Sequence, residues 1–359
     1  MTLYAVFADS RDGPPGKNRH AATPCYSPIS SRQFDDTQVL SLRLFVEDPT
    51  VAFNPVDMVP DGTQLLRIIA GYKHRASKLR CGKPHCGVMH NKGFVVQLED
   101  GSHALIGHVC GKALFGTKWE EYEGEHLELR ERQRLLTRKR AFLDAYPQVV
   151  VPLRTWRFAA EKVQAVRRSF NEAMPKLAES LRTKAGRSEV ALTVSVQIDR
   201  GFAAASQVDG IRSSRQLRER AELVHTLQGA EFFGVTPPRQ LVEKGLEGLE
   251  RAAGALAGDN LSNHAMRRGL RMMTSALGEF RHAERLYAAA QAALREDDLA
   301  GITTWAMRQG GFDGEYKARG RSIVFSPRGG RPRLFEAPHL PVLDAAPLTR
   351  LEEQPEYLF

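Results

Sequence analysis

The chain has 359 residues and a mass of 40.0 kDa, a length that predicts two or three domains. Hydrophobic residues make up 42% and charged residues 26%, which excludes a fully disordered chain, a collagen-like chain and a disulfide scaffold. Lys and Arg total 51 against 42 Asp and Glu, so the formal net charge is +9. This balance favours a polyanionic partner, with nucleic acid ahead of an anionic membrane surface.

Hydropathy predicts no membrane span, because no stretch reaches the roughly 18 uncharged apolar residues that a membrane helix needs. The first 20 residues contain a short apolar patch, but no basic region precedes it and no long apolar core follows. A secretory signal peptide has both features. We therefore expect a cytoplasmic protein without membrane contact.

The predicted fold class is mainly α with small β elements, in which a zinc-finger β-hairpin module is attached to a long helical hairpin or bundle. The chain order predicts six segments: 1–72, irregular α+β; 73–118, zinc-finger-like; 119–186, a long helical hairpin; 187–236, a connector containing a strand; 237–309, helical; 310–359, a basic hairpin and a Pro-rich tail.

The N-terminal segment predicts strands at residues 3–7 and 39–46, and residues 63–72 fit either a helix or a strand. Two helices are expected next, over 119–146 and 152–184, because apolar residues recur at spacings of three and four and Pro147 ends the first. Short connections join antiparallel helices, which predicts a hairpin.

The second half of the chain alternates helices with strands. Residues 189–200 alternate apolar and polar side chains, which predicts a strand. Helices are expected after Thr236 and over 262–295, and a β-hairpin is expected around residues 327–330. The last 23 residues, 337–359, carry four prolines and predict an extended arm that docks a protein partner.

Three of the four cysteines fall within 30 residues, at Cys81, Cys86 and Cys110. Such a cluster in a chain without a secretory signal indicates a metal site rather than disulfides. Cys25 lies over 50 residues away in sequence and is expected to be a bystander.

The cysteine segment predicts a fixed order of elements. Cys81 and Cys86 flank a Gly-Pro turn, a strand–turn–strand pattern covers 94–106, and residues 107–110 lead into a helix. Residues 80–117 therefore resemble a treble-clef zinc finger, which implies a structural Zn²⁺. The first pair is spaced Cys-x4-Cys, where this family usually has Cys-x2-Cys.

A structural zinc needs four nitrogen or sulfur ligands in a tetrahedron. We expect Cys81, Cys86 and Cys110 to supply three of them. His108 is the first choice for the fourth ligand, and His90 is the alternative. A hairpin of about 15 residues buries too little apolar area to be stable alone, so metal binding would supply folding free energy.

Basic residues cluster ahead of the first metal cysteine and along the first long helix. Arginine outnumbers lysine when these runs are taken together, and its forked donors suit phosphate groups. Solvated helix faces also carry such runs, and only their co-occurrence favours nucleic-acid binding. The expected contacts are Lys73, Arg75, Lys78, Arg80, Lys83, Arg130, Arg134 and Arg138.

Enzyme signatures are weak. Residues 13–17 fail the P-loop pattern, since Asn18 replaces the Ser or Thr that binds magnesium. Asp298 followed by Glu315-x-Lys317 has the spacing of metal-dependent nucleases, and His90-Asn91 gives a similar hint. The sequence therefore favours a non-enzymatic, zinc-stabilised nucleic-acid-binding protein. The alternatives are a metal-dependent nuclease and a helical scaffold with a structural zinc and a partner-docking tail.

Overall fold

A computed structural model describes residues 34–198 and 218–353. The predicted strand over 3–7, the P-loop-like segment, Cys25 and the last six residues of the tail lie outside these ranges. The helices of the described part are α1 (Asp36–Ser41), α2 (Pro49–Phe53), α3 (His108–Phe115), α4 (Thr117–Ala173), α5 (Pro175–Gly186), α6 (Pro238–Leu256), α7 (Asn263–Ala293), α8 (Glu296–Gln309) and α9 (Ala346–Glu352). The strands are β1 (Phe45–Val46), β2 (Leu65–Lys73), β3 (Leu79–Arg80), β4 (Met89–His90), β5 (Lys92–Leu98), β6 (His103–Ile106), β7 (Ala191–Ile198), β8 (Arg218–Thr226), β9 (Gly314–Arg319), β10 (Ser322–Pro327) and β11 (Arg333–Glu336). The prediction of a mainly α protein with small β elements is confirmed.

The described residues fall into two compact units. Unit 1 holds residue 34 and residues 43–128, and unit 2 holds the remaining described residues. The sheet of unit 1 has the order β1-β2-β5-β6, in which β1 pairs parallel to β2 and the other pairs are antiparallel. One core of unit 1 contains Val96, Leu98, Ile106 and the fully buried Trp119. Strands β3 and β4 pair separately and carry the cysteine turn.

Two early predictions meet different outcomes. Residues 63–72, which fitted either a helix or a strand, contain most of β2. The strand predicted over 39–46 is wrong for its first half, which belongs to α1. Asp35 caps that helix, because its side chain accepts a hydrogen bond from the Gln38 backbone N–H. In turn, the Gln38 side chain accepts a hydrogen bond from the backbone N–H of Asp35. This capping box outweighs the β-like alternation of apolar residues.

The predicted helical hairpin of 119–186 is wrong. A single helix, α4, runs from Thr117 to Ala173 and includes both Pro147 and Pro152. An internal proline costs roughly 3 kcal/mol because it removes a backbone donor and crowds the preceding turn. Buried side chains on both sides of the prolines, at Phe142, Leu153 and Trp156, give the continuous helix enough packing to offset that cost.

The chain does break at the third proline of this region, inside the helix predicted over 152–184. Met174 leaves helical geometry and Pro175 starts α5. Phe170, near the end of α4, is buried and contacts Phe233 and Phe335 in the main core of unit 2. Phe170 therefore belongs to the core of unit 2 and does not pack against the first half of α4.

The second half of the chain follows the predicted order with one correction. The strand predicted from residue 189 appears as β7, which pairs with β8, and the hairpin around 327–330 appears as β10 and β11. The tail is not wholly extended, because residues 346–352 form α9. Leu348 and Leu351 are buried there, and Glu352 accepts a hydrogen bond from Arg281 of α7. Apolar spacing in a proline-rich segment was enough to form one short helix.

Candidate metal centre

The cysteine turn closes the small β3–β4 hairpin. Leu79 pairs with His90, and the connecting residues carry two of the predicted ligands. The backbone N–H of Cys81 donates to Val88 at 3.0 Å, and that of Cys86 donates to Lys83 at 3.2 Å. These bonds hold both cysteines in a tight turn, which we call the knuckle (residues 79–90).

The third cysteine lies in the first turn of α3, whose N-cap is Gly107. The knuckle is tied to the strand before this helix, because the Gly82 N–H donates to Leu105 at 2.7 Å. Gly111 follows the cysteine, and a Cβ atom there would lie 2.4 Å from the indole of Trp119. Glycine at this position therefore lets the buried tryptophan pack directly against the helix that carries Cys110.

The structure brings the three predicted cysteines together. The sulfurs of Cys81, Cys86 and Cys110 lie within 4.8 Å of one another, and Cys86 Sγ is 3.3 Å from Cys110 Sγ. Zn–S bonds of about 2.3 Å in a tetrahedron place sulfurs roughly 3.5–4 Å apart. The cluster can therefore hold a metal ion. Within 34–198 and 218–353, no other group of three or more metal-binding side chains is this compact.

The thiols differ in their acidity. The pKa of Cys86 is lowered, chiefly because the backbone N–H of Val88 stabilises its thiolate and also because Cys110 donates to it. Burial raises the pKa of Cys110 to about 12, and the neighbouring Cys86 adds to that rise. Without a cation, deprotonation of a second thiol in the cluster is therefore unfavourable. A bound metal cation removes this penalty, since it stabilises coordinating thiolates directly.

His90 is the last residue of the knuckle and lies outside the compact three-cysteine group, and one of its ring nitrogens has a partner while the other has none. Its Nδ1 is 2.8 Å from the Tyr72 hydroxyl, whereas its buried Nε2 has no hydrogen-bond partner in the described structure. The ring also contacts Gly107, since a Cβ there would lie 3.3 Å from it. Burial lowers the pKa of His90, which favours the neutral imidazole that binds metals.

His108 is not part of the sulfur cluster. Its side chain is 63% exposed, and its Nδ1 lies 2.6 Å from Glu123 Oε1. The other oxygen of Glu123 accepts a hydrogen bond from the Trp119 indole at 3.1 Å. Glu123 therefore directs His108 toward α4, and sequence spacing alone did not reveal this partner 15 residues away.

Five basic residues lie within the knuckle or just before it in the sequence, and we call them the knuckle cations: Lys73, Arg75, Lys78, Arg80 and Lys83. Arg75, Lys78 and Arg80 are exposed, and Lys73 and Lys83 are half-buried. Among the described residues none of the five has a hydrogen bond or an ion pair with another side chain. Val88 and Met89, at the knuckle tip, are about half exposed, at 52% and 49%. The knuckle thus presents unpaired positive charge beside apolar surface.

The helical arginines predicted to contact phosphates take part in the fold of unit 2. Arg130 and Arg138 are half-buried, and burial lowers the pKa of Arg130. Arg134 makes two hydrogen bonds to Glu131, at 2.9 and 3.0 Å. Glu131 also accepts a bond from Arg267 at 3.0 Å. These contacts leave less positive charge for a partner than the sequence pattern suggested.

The nuclease-like residues serve structural contacts. Asp298 is buried, and it accepts hydrogen bonds from His225 Nε2 at 2.7 Å and from the Gln228 backbone N–H at 3.0 Å. Lys317 forms an ion pair with Glu315 at 3.2 Å. Asp298 therefore joins strand β8 to helix α8, and it belongs to no compact carboxylate group in the described parts of the chain.

Sequence reasoning missed Tyr72, whose hydroxyl holds His90. A tyrosine at the end of an apolar run carries no metal-site signal, since its role depends on the pairing of β2 with β5. There Gly93 makes room for it, because a Cβ on Gly93 would lie 2.8 Å from the Tyr72 hydroxyl.

No family model, curated protein or solved structure matches the chain. Over the residues that the structure describes, no helix combines the length and apolar character needed to cross a bilayer. The metal site and the charges around it therefore carry the functional argument.

Proposed function

We propose that this chain is a non-enzymatic, zinc-stabilised nucleic-acid-binding protein that contacts phosphates through the knuckle cations. One observation carries the proposal. Five basic side chains without acidic partners in the described structure lie in or just before the knuckle, two of whose cysteines join Cys110 in a cluster that can hold a metal ion. Ion pairs neutralise Arg134 and many other surface charges of the molecule, but not these.

Zn²⁺ is the metal that suits the donor set best. Thiolates and imidazole favour a borderline-soft ion with tetrahedral geometry. His90 is the proposed fourth ligand, because its buried Nε2 lacks a partner while Tyr72 holds Nδ1. A second partner on the distal ring nitrogen is the usual arrangement for a metal-binding histidine. Four protein ligands leave no position for water, which favours a structural role over hydrolysis.

Phosphate contacts supply most of the sequence-independent affinity for nucleic acid. The arginines among the knuckle cations present planar donor forks, which match phosphate oxygens better than a lysine does. If three to five knuckle cations each neutralise one phosphate, log affinity for duplex DNA falls with log salt at a slope of about −3 to −5.

The test is charge reversal with a matched control. Replacing Arg75, Lys78 and Arg80 by Glu should lower the affinity at low salt by at least about tenfold and make the salt slope shallower by about 0.9 per lost contact. The control replaces three exposed arginines of α7, Arg268, Arg271 and Arg285, by Glu. This control makes the same change in net charge.

Fluorescence anisotropy with duplex and single-stranded DNA and RNA measures both effects. An equal loss in both triple variants would show that overall charge, not the knuckle, drives binding. The absence of wild-type binding at low salt would remove the proposal. Cleavage that depends on a divalent ion and survives these reversals would favour the nuclease alternative instead.

A further inference from the structure

Unit 1 contains a cavity of about 350 Å³ next to the knuckle. Its walls come from the loop over residues 59–65, from Pro84 of the knuckle, from Leu114 and Phe115 at the end of α3, and from Lys118 at the start of α4. This volume lies within the roughly 300–1,000 Å³ range of pockets that bind small organic groups.

The lining of the cavity combines apolar with polar and charged side chains. Pro84, Leu114 and Phe115 form an apolar wall, and the Phe115 ring stacks on Trp119 with centroids 6.3 Å apart and planes 10° apart. Because Trp119 is fully buried, this contact restrains the phenyl ring. A restrained aromatic face beside apolar side chains suits a flat aromatic group.

Other lining residues are polar or charged. They include Asp61, Gln64 and Lys118, and Lys118 Nζ donates to Gln64 Oε1 at 2.8 Å. A carboxylate, an amide and an ammonium group together offer acceptors and donors. Nucleobases combine a π-face with such a polar edge.

The cavity and the proposed phosphate contacts share the knuckle. Pro84, which lines the cavity, directly follows Lys83, one of the knuckle cations, and the Val59 N–H donates to the Gly82 carbonyl at 2.7 Å, which ties the loop to the knuckle. The knuckle therefore contributes both to the wall of the cavity and to the proposed phosphate contacts.

We infer that this cavity accepts one unstacked base of a single-stranded nucleic acid, an inference that rests on the proposed function. Bases in a duplex are stacked and paired, so entry would first require unstacking, which costs free energy. The protein should therefore bind single strands more tightly than duplex at the same salt concentration.

The first experiment leaves the protein unchanged. A single-stranded oligo(dT) is compared with a strand of equal length whose sugars carry no bases, so the phosphates are the same. Stacking of one base on an aromatic side chain corresponds to about 5- to 160-fold in affinity. We expect the abasic strand to bind weaker by that factor, with the same salt slope.

The second experiment localises the effect. Phe115→Leu keeps an apolar side chain against Trp119 but removes the ring, and it should reduce the difference between the two strands to less than about twofold. Phe158→Leu is the control, since Phe158 is 70% exposed on α4 and belongs to unit 2. Circular dichroism and zinc content establish that both variants are folded.

Each outcome decides one claim. Equal affinity of wild type for the two strands overturns the base pocket while leaving phosphate binding intact. An unchanged difference in Phe115→Leu also overturns it, because the bases would then stack elsewhere. No binding to either strand at low salt removes the proposed function itself.

Discussion

His90 and His108 are the two candidates for the fourth metal ligand, and their side chains have different partners. Tyr72 holds His90 at Nδ1 and leaves its buried Nε2 unused, whereas Glu123 engages the exposed His108. The sequence places both histidines at acceptable spacings, so spacing alone could not choose between them. The choice depends on partners 18 and 15 residues away in the chain.

Zinc affinity distinguishes the two histidines. We expect His90→Ala to weaken zinc binding more than Tyr72→Phe does, and His108→Ala to leave it within about twofold of wild type. Tyr72→Phe removes only the group that orients the ligand, a loss typically of about 10- to 100-fold. Competition with a chromophoric chelator measures all three affinities. The opposite order, with His108→Ala the weakest, would make His108 the fourth ligand.

The three cysteines could be predicted because their signals are local. Three short patterns each specify a piece of backbone: the turn between Cys81 and Cys86, the Asp-Gly hairpin turn at 100–101, and the glycine before α3. Those pieces appear in order as the knuckle, the β5–β6 hairpin and α3. The base-binding cavity has no such signal, since residues 59–65 meet Phe115 only after the unit folds.

Element boundaries show where local rules fail. Pro147 predicts a helix end, but α4 continues through it because buried side chains lie on both sides. Pro175 obeys the same rule, since the chain breaks at Met174. The difference lies in tertiary packing, which no single-sequence pattern records. For α1 the signal was present, because the Asp35–Gln38 capping box can be found in the sequence.

The contact between β8 and α8 predicts a pH dependence of folding. Burial raises the pKa of Asp298 above its ordinary value of 3.8, so the folded state favours the protonated carboxyl. The protonated carboxyl is compatible with burial, so folding is favoured at acid pH. As pH rises through the folded-state pKa, burying the ionised carboxylate lowers the free energy of unfolding. Asp298→Asn keeps an acceptor for the Gln228 N–H but cannot ionise.

Urea unfolding of wild type and Asp298→Asn at pH 4 and pH 7 measures this difference. The stability of the variant relative to wild type should be greater at pH 7 than at pH 4. His225→Ala should lower the stability by about 1–3 kcal/mol at pH 7, because the buried carboxylate loses a hydrogen bond. A relative stability of Asp298→Asn that does not change with pH would contradict the assignment.

At the scale of the whole molecule, some basic side chains have acidic partners and others have none among the described residues. The net charge of +9 describes the complete chain, but many basic side chains are already paired. Arg132 bonds to Asp36, Arg281 to Glu284 and Glu352, and Arg308 to Glu222. The knuckle cations are different, since no acidic side chain of the described residues pairs with them. Composition could predict a polyanionic partner but not the surface that meets it.

The two units should also respond differently to loss of the metal. Unit 2 has a large apolar core that includes Phe170, Phe232 and Trp305, and none of the three clustered cysteines belongs to it. The knuckle has two short strands and little buried apolar surface of its own. A metal ion bound by the three cysteines would therefore contribute directly to its folding free energy. A chelator should unfold the knuckle locally and leave the core of unit 2 folded.

Hydrogen exchange with and without a zinc chelator tests this expectation. Amide protection should fall over residues 79–90 and at the start of α3, and it should persist in α6 and α7, where buried helices open only by larger unfolding. Restoring zinc should restore the protection, and Cys110→Ser should show the unprotected pattern even with zinc present. Loss of protection throughout both units would mean that the metal stabilises the whole chain. Unchanged amide protection in the knuckle would mean that this segment folds without a metal.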